Sequence, residues 1–395
     1  MAGGSSRAIR LVKIAGIQVD IDYSWLIIFG LVLWSLASGY FPQAYPGHTR
    51  AQYWIVGLVA TLFFFSSVLF HELCHAFMGN RLGENIDRIT LFIFGGMAHL
   101  TGEPKNADDE FKIAVVGPLS SLALGLVFWL VAGALSGAGA VTLWAAVFRY
   151  LAYLNVALAV FNLLPGYPLD GGRLLRAVLW KRWGSIERAT ARAADWGNTI
   201  AWGLMLMGVL EIFGGALIGG LWLIFIGLFL RGAAAGGYQG TMVEQMLQRV
   251  RVGDIMTPDP ITLDSGISVS DAVENYFLRL GHGGFPVATE GRVVGMLTLS
   301  MVSKCPVEER AGKKAGDLMR PLDASIEISP SATALAAMHQ MNDSTSRRLV
   351  VLDNGKFVGL VTLTGITRFV QIKSQLGTAA TKASPAAGQD SVQEH

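Results

Sequence analysis

Charge is scarce in this chain. Of its 395 residues, 15% are Asp, Glu, Lys or Arg, where a soluble protein carries about 25%. The formal net charge is only +2, too small for the basic surface that nucleic-acid binding needs, so nucleic acid is excluded as a partner. Cysteine is nearly absent. Cys74 and Cys305 are the two cysteines; they lie far apart in unrelated contexts, which excludes a disulfide framework and leaves no sign of an oxidising compartment.

What the chain has instead is apolar side chain, 52% of the residues. The shortage of charge is confined to the residues before about 235, where long apolar stretches are separated by short polar clusters. Beyond it, charges and strand-like alternation return. The length is that of two or three domains, and the break in composition puts the main boundary near the run from Ala233 to Gly240. The resulting division is a membrane domain over 1–235, a linker over 236–249, a soluble pair of repeats over 250–373 (about 250–305 and 315–373), and a disordered tail, rich in Ala, Ser, Gln and Gly, over 374–395.

A bilayer core is crossed by about 20 mostly apolar residues in a helix. Six segments qualify: 21–40, 53–78, 112–135, 142–164, 197–213 and 217–234. The last two are separated by Gly214 and Gly215, which predicts a tight hairpin. The first follows Arg7, Arg10 and Lys13 and ends near Ala37-Ser38-Gly39, but its apolar stretch is longer than a signal-peptide core, so it reads as a span. Lys and Arg fall almost wholly on one side: in the N-terminal arm, in the connection after the second span (Arg81, Arg88, Lys105, Lys112) and in that after the fourth (Arg173 to Arg192). The other side offers Arg50, with Arg149 just inside the fourth span. That bias predicts cytoplasmic termini for a multi-pass protein; compact size, with no organelle signal visible in the sequence, points to the plasma or inner membrane.

On the second span stands His71-Glu72-Leu73-Cys74-His75. Helix positions four apart share a face, so both imidazoles can reach one metal while Glu72 projects beside it, placed to take a proton from water. Ionisable residues at membrane depth cost roughly 2.5–3.5 kcal/mol each; three within five residues call for a compensating cation. Catalytic zinc takes three protein ligands. Arg81 stands where a third ligand farther along the same helix would be, Glu103, Asp108, Asp109 and Glu110 read as a solvated run, and His99 lies in a short apolar strand. The best third ligand is Asp170, in Asn162-Leu163-Leu164-Pro165-Gly166-Tyr167-Pro168-Leu169-Asp170-Gly171-Gly172, a segment whose prolines and glycines forbid continuous helix at the membrane margin. The plainer alternative is that Asp170 caps the helix that follows it.

His71-Glu72-x-x-His75, together with Asn162, Pro165 and Asp170-Gly171, resembles the site-2 protease family of intramembrane metalloproteases over roughly residues 10 to 235. The resemblance implies one zinc per chain held by His71, His75 and Asp170, Glu72 activating water, and Asn162 positioning substrate or stabilising the oxyanion. From the residue itself, the amide of Asn162 either donates to an oxyanion or bonds a broken helix end. The resemblance also makes Ile89–Ala98, which reads as strand, glycine turn and strand, a re-entrant β segment beside the site. Its edge could accept an unwound substrate by strand addition; otherwise it is a plain hairpin. The zinc is expected toward the cytoplasmic face.

In the soluble half, Gly253-Asp254-Ile255-Met256 recurs as Gly316-Asp317-Leu318-Met319, and Val294-Gly295-Met296-Leu297-Thr298 as Val358-Gly359-Leu360-Val361-Thr362. Each unit reads as strand, helix, strand, strand, helix, and the pair resembles two CBS domains. That likeness implies an adenine-nucleotide sensor, but the acidic residue expected three positions after each Thr is Met301 in one unit and Gly365 in the other. A homodimerisation or docking module is the alternative.

The expected fold class is therefore a polytopic α-helical membrane domain of about six helices with a short re-entrant β segment, followed by an α/β CBS-domain pair. The expected function is zinc-dependent cleavage of a single-span membrane protein in the lipid bilayer. A divalent-cation transporter regulated by its CBS domains, or a non-catalytic metal-binding membrane protein, is the competing class; only a hydrolase needs Glu72.

Overall fold

Ala15 and Gly16 both have positive φ, 46° and 92°, the combination that closes a two-residue hairpin with the twist strands require. They join β1 (Ala8–Ile14) to β2 (Ile17–Asp22). β2 pairs in parallel with β3 (Ile86–Phe92), which pairs antiparallel with β4 (Gly95–Leu100), giving a four-stranded sheet ordered β1-β2-β3-β4. A computed structural model of the chain describes residues 8–93, 95–100, 104–136, 142–344 and 346–382. The expected strand pair over 89–98 is present within this larger sheet. Alternate residues Ile17, Val19 and Ile21 of β2 are buried, and Ile17 and Ile21 pack with Ile86, Ile89 and Leu91 of β3 on Leu73 and Ala76. The sheet thus docks on the helix that carries the two histidines.

Asp22 caps α1 (Tyr23–Ser35), its side chain accepting from Ser24 N at 2.9 Å. A π-helical turn over Leu36–Tyr40 leads into α2 (Phe41–Ala44). Thr49 and Gln52 form a capping box at the start of α3 (Arg50–Arg81), whose 32 residues extend about 48 Å. Asn106 caps α4 (Ala107–Leu135) and Thr142 caps α5 (Leu143–Asn162). α6 (Asp170–Trp183) is short, and α7 (Ile186–Phe213) and α8 (Leu217–Gln248) form the hairpin expected at Gly214-Gly215. Among the described residues six helices are long and apolar enough to cross a membrane, counting Tyr23–Ala44 as one. Leu119, Leu126, Trp129 and Leu130 of α4 are more than half exposed, a face that suits lipid rather than water. α7 and α8 approach closely where Gly208 meets Gly220: a Cβ on Gly208 would lie 2.5 Å from the Gly220 carbonyl oxygen, the small-residue contact on which helix packing in lipid depends.

Three features differ from the sequence reading. The chain divides into compact units at Thr241/Met242, and the stretch expected to be a linker, 236–249, is largely the continuation of α8. Three alanines, the strongest helix formers, offset the following glycine pair. The C-terminal helix runs from Leu363 to Lys382, past residue 374, because Ile366, Phe369 and Val370 anchor it on the core of the second unit and helix propagates cheaply once nucleated. Residues 383–395 of the expected tail lie outside the described residues. Glu110, expected in a solvated run, is fully buried.

The second unit contains two four-stranded sheets. One is ordered β6-β7-β8-β9 and the other β10-β11-β12-β5. β5 (Thr257–Pro258) comes from the first repeat but pairs with β12 (Lys356–Thr362) of the second. β9 (Arg320–Pro321) begins the second repeat but pairs with β8 (Arg292–Thr298) of the first. The remaining strands are β6 (Leu263–Asp264), β7 (Gly284–Thr289), β10 (Glu327–Ile328) and β11 (Arg348–Asp353). The repeats exchange strands, so neither sheet is complete without the other repeat. Met301 lies in the short helix after β8. Gly365 lies in the helix after β12, where its N–H donates to Thr362 Oγ1 at 3.0 Å.

Candidate metal centre

His71 and His75 project from the C-terminal third of α3 as its sequence periodicity requires, both at most 5% exposed. Asp170 comes to them from the first position of α6 and is 8% exposed. Its Oδ2 lies 3.0 Å from His71 Nε2 and 3.2 Å from His75 Nε2, and the two Nε2 atoms are 3.2 Å apart. Among the described residues these three are the one group of His, Cys, Asp and Glu side chains able to share an ion. Asp170 does not cap α6: Leu169 holds the cap position and no side chain bonds there.

The other ring nitrogens are occupied. His75 Nδ1 donates to the Ile113 carbonyl at 2.6 Å, and His71 Nδ1 stands 2.9 Å from Ser121 Oγ. A carbonyl only accepts, so His75 Nδ1 carries a proton, which leaves Nε2 as the nitrogen facing Asp170. Two ring nitrogens and a carboxylate oxygen converging in a buried site are a donor set suited to a cation. Three atoms bound tetrahedrally to one zinc at about 2.0–2.1 Å stand about 3.3 Å apart, close to the triangle observed. Helix α4 leaves room for an ion beside it. A Cβ on Gly117 would fall 2.1 Å from His75 Nε2 and 2.7 Å from His71 Nε2. The donor set and the space therefore fit zinc, and each imidazole has the outer hydrogen bond that orients a metal-binding histidine.

Asp170 owes its place to glycines. After α5 ends at Asn162, residues 163–169 leave the helix and pass directly over the first turn of α6. A Cβ on Gly171 would lie 2.2 Å from the Leu163 carbonyl oxygen, and one on Gly172 equally close to Tyr167 N. On the other side the segment rests on α7: Tyr167 N–H donates to Ala193 O at 3.0 Å, and a Cβ on Gly197 would meet the Tyr167 carbonyl at 2.1 Å. Asn162 is partly buried at the end of α5, and among the described residues its amide makes no hydrogen bond to the broken helix end.

Glu72 is partly buried beside the histidines, and β4 lies against it. A Cβ on Gly96 would fall 2.4 Å from Glu72 Cγ. Below the triad, Glu110 accepts from Arg176 Nε at 2.7 Å and again from Arg176 Nη2, with Arg173 Nε 3.9 Å away. Glu84, in the turn after α3, has no hydrogen-bond partner for its carboxylate among the described residues; burial pushes its pKa up, and Arg173 partly opposes that. His99 belongs to β4, but its side chain lies outside the described residues, as does Glu103. The sequence reading did not find Ser121, the Ile113 carbonyl, Gly117 or Gly96. The visible trace was Gly117-Pro118 inside an apolar span, with Ser121 one turn farther on the same face.

Comparison with known proteins follows the same division. The profile of peptidase family M50 matches residues 59–142 and 137–207, and that of the CBS domain matches 252–307 and 315–372. A Mycobacterium tuberculosis protein named Rip3 is 36% identical over 367 residues, spanning 92% of this chain and 93% of its own. The zinc metalloprotease MJ0392 of Methanocaldococcus jannaschii is 28% identical over 367 residues, spanning 92% and 96%. Among solved structures, the site-2 protease from Methanocaldococcus jannaschii is similar at 29% identity and a TM-score of 0.41, over 58% of this chain and 94% of that one. With relatives alike over nearly its whole length, a matched M50 profile and six helices of spanning length, the chain belongs to peptidase family M50: it is a multi-pass, site-2-type zinc metalloprotease with a C-terminal pair of CBS domains.

Proposed function

We propose that this protease hydrolyses a peptide bond in or near the transmembrane segment of a single-span membrane protein and releases the cytoplasmic part of that substrate. The reading rests above all on the buried triangle of His71, His75 and Asp170, with sides of 3.0–3.2 Å, set among helices of spanning length. Zinc held by these three residues supplies the Lewis acidity that polarises a peptide carbonyl and acidifies water. Glu72 takes the proton of the attacking water and returns it to the departing amide nitrogen, so the C–N bond breaks to a carboxylic acid and an amine with no net proton change at the enzyme. Asn162, whose amide has no competing bond among the described residues, donates to the oxyanion. β4 is an edge strand whose backbone abuts Glu72 at Gly96. A substrate strand pairing along that edge would present an extended peptide bond to the base.

Orientation is read from charge. With the basic connections inside, both termini and the CBS pair are cytoplasmic in the plasma or inner membrane, and water reaches the site from that side. The CBS pair regulates access or assembly, as a homodimer contact or a docking surface. An adenine nucleotide is the less favoured ligand, since Met301 and Gly365 replace the ribose-binding acids.

The test is cleavage of single-span peptides in liposomes by wild type and Glu72→Gln, with zinc quantified in both. Glu72→Gln is expected to keep one zinc per chain and to lose about 10²–10⁴-fold in rate. Loss of zinc would make Glu72 a ligand, and an unchanged rate would remove it as the base.

A further inference from the structure

One face of α4 meets both histidines and helix α6 in turn. Glu110, Ile113, Gly117 and Ser121 follow one another at spacings of three, four and four, so they share a face. Ser121 meets His71, Gly117 leaves room beside both Nε2 atoms, the Ile113 carbonyl holds His75, and Glu110 takes Arg176 of α6. On α6 the facing residues are Asp170, Arg173 and Arg176, again one face. α6 lies antiparallel to α4. From Glu110 to Gly117 α4 rises about 10 Å, and from Arg176 back to Asp170 α6 spans about 9 Å. The ion pair at one end therefore sets in register the carboxylate at the other.

We infer that the buried Glu110–Arg176 pair is a positioning device for Asp170, fixing the slide and rotation of α6 against α4 so that Oδ2 reaches the two imidazoles. This rests on the reading of Asp170 as a zinc ligand. The pair is more expensive than apolar packing would be: Glu110 is fully buried and Arg176 is 3% exposed, and buried ion pairs seldom stabilise a fold better than apolar residues of the same volume. Setting register is the best-attested use of such pairs. Arg176 also lies over the Tyr167 ring, its Cζ 5.4 Å from the centroid. The same guanidinium thereby holds the non-helical segment that joins Asn162 to Asp170. Capping does not fix α6, because its cap residue is Leu169 with no side-chain bond. Nor does a covalent neighbour, since Gly171 and Gly172 follow Asp170 directly.

The experiment uses the full chain in detergent, with zinc affinity measured by competition with a chromophoric chelator and the unfolding temperature of the zinc-free protein measured in parallel. Replacing both partners, Glu110→Leu with Arg176→Met, removes the pair without leaving either partner behind as an unpaired charge, while Arg173, which loses Glu110, keeps the Glu84 carboxylate as an opposite charge. The expected result is a zinc affinity about 10–100-fold weaker, the loss typical when an outer partner of a ligand is removed, with the unfolding temperature nearly unchanged. In an Asp170→Ala background the same double replacement is expected to have no further effect on zinc affinity, because the residue through which it acts is gone. If the double replacement leaves zinc affinity at the wild-type value, or lowers it equally in both backgrounds, the pair does not act through Asp170 and the inference fails. If Asp170→Ala alone leaves zinc affinity unchanged, the ligand assignment fails first. A variant that loses zinc and unfolding temperature together is read against Arg176→Lys, which keeps the charge but loses the two-nitrogen contact: a purely structural pair predicts rescue of both, a positioning pair predicts recovery of temperature alone.

Discussion

His71 and His75 arrive at the metal centre through a single turn of one helix, while Asp170 reaches the same point from 95 residues away in sequence, out of a segment that is not helical. The first half needs only the periodicity of α3, which follows from its apolar composition. The second needs an end to α5 at Asn162, a path for residues 163–169 between α6 and α7, and a first turn of α6 stripped of side chains at Gly171 and Gly172. Each histidine is oriented by a neighbour on α4. Asp170 is placed by backbone-on-backbone contact and, in our inference, by an ion pair nearly two turns away. One half is set by local geometry and the other by packing, and substitutions that disturb packing should separate them.

The strongest such test is Gly117→Ala. In a helix interior alanine is normally about 0.8–1 kcal/mol better than glycine. Here its methyl carbon would sit 2.1 Å from His75 Nε2, in the space an ion needs. The expected outcome is near-complete loss of zinc and of cleavage, with a lower unfolding temperature because the methyl overpacks the two buried imidazoles by about 1–3 kcal/mol. Gly133→Ala, on the same helix with nothing within 4 Å of the new carbon, should keep both zinc and activity. Metal analysis of the two purified variants is sufficient; full zinc in Gly117→Ala would remove α4 from the centre.

This contrast also marks how far the sequence could be read. The six spans and the meeting of the two histidines with Asp170 were legible because each is a local signal: apolar length, a four-residue spacing, an acid directly after backbone that proline and glycine forbid to be helical. The hairpin of β1 and β2 carried a signal as well, alternation around Ala15-Gly16, but it lay beside a span that dominated the composition. Glu110 was misread because Asp108 and Asp109 precede it, and nothing local distinguishes the third acid of a run. Its burial depends on Arg176, 66 residues away. The roles of Gly96, Gly117 and Ser121 were missed for the same reason: each matters for what it meets on another element.

A smaller effect is expected at Ser121. Ser121→Ala removes the oxygen that meets His71 Nδ1 and leaves the ring free to turn, so zinc affinity should fall about 10–100-fold with one site still fillable at high zinc. His75 offers no matching substitution, since its partner is the Ile113 backbone. If Ser121→Ala binds zinc as tightly as wild type, the packing of Gly117 alone orients His71, and the histidine half depends on shape more than on hydrogen bonding.

The smallest effect should be found in the CBS pair, where the local pattern was as legible as the histidines but leads to a different conclusion. The repeats, their strand order and the exchange of β5 and β9 agree with the internal repeat, yet the two positions expected to hold ribose hydroxyls are Met301 and Gly365. A methionine offers no strong acceptor, and the Gly365 N–H is already spent on Thr362 Oγ1. With no carboxylate at either of these positions, ATP added to the full chain at 1 mM should bind with a Kd of about 1 mM or weaker, equivalent to roughly 0.4 kcal/mol of stabilisation or less. Titration calorimetry reads this directly. A micromolar Kd would correspond to about 4 kcal/mol at the same concentration, and would mean that other groups of the CBS pair replace the missing acids, making the second unit a nucleotide sensor for the protease. Weak binding would leave assembly or docking as the route by which the CBS pair acts on the metal centre.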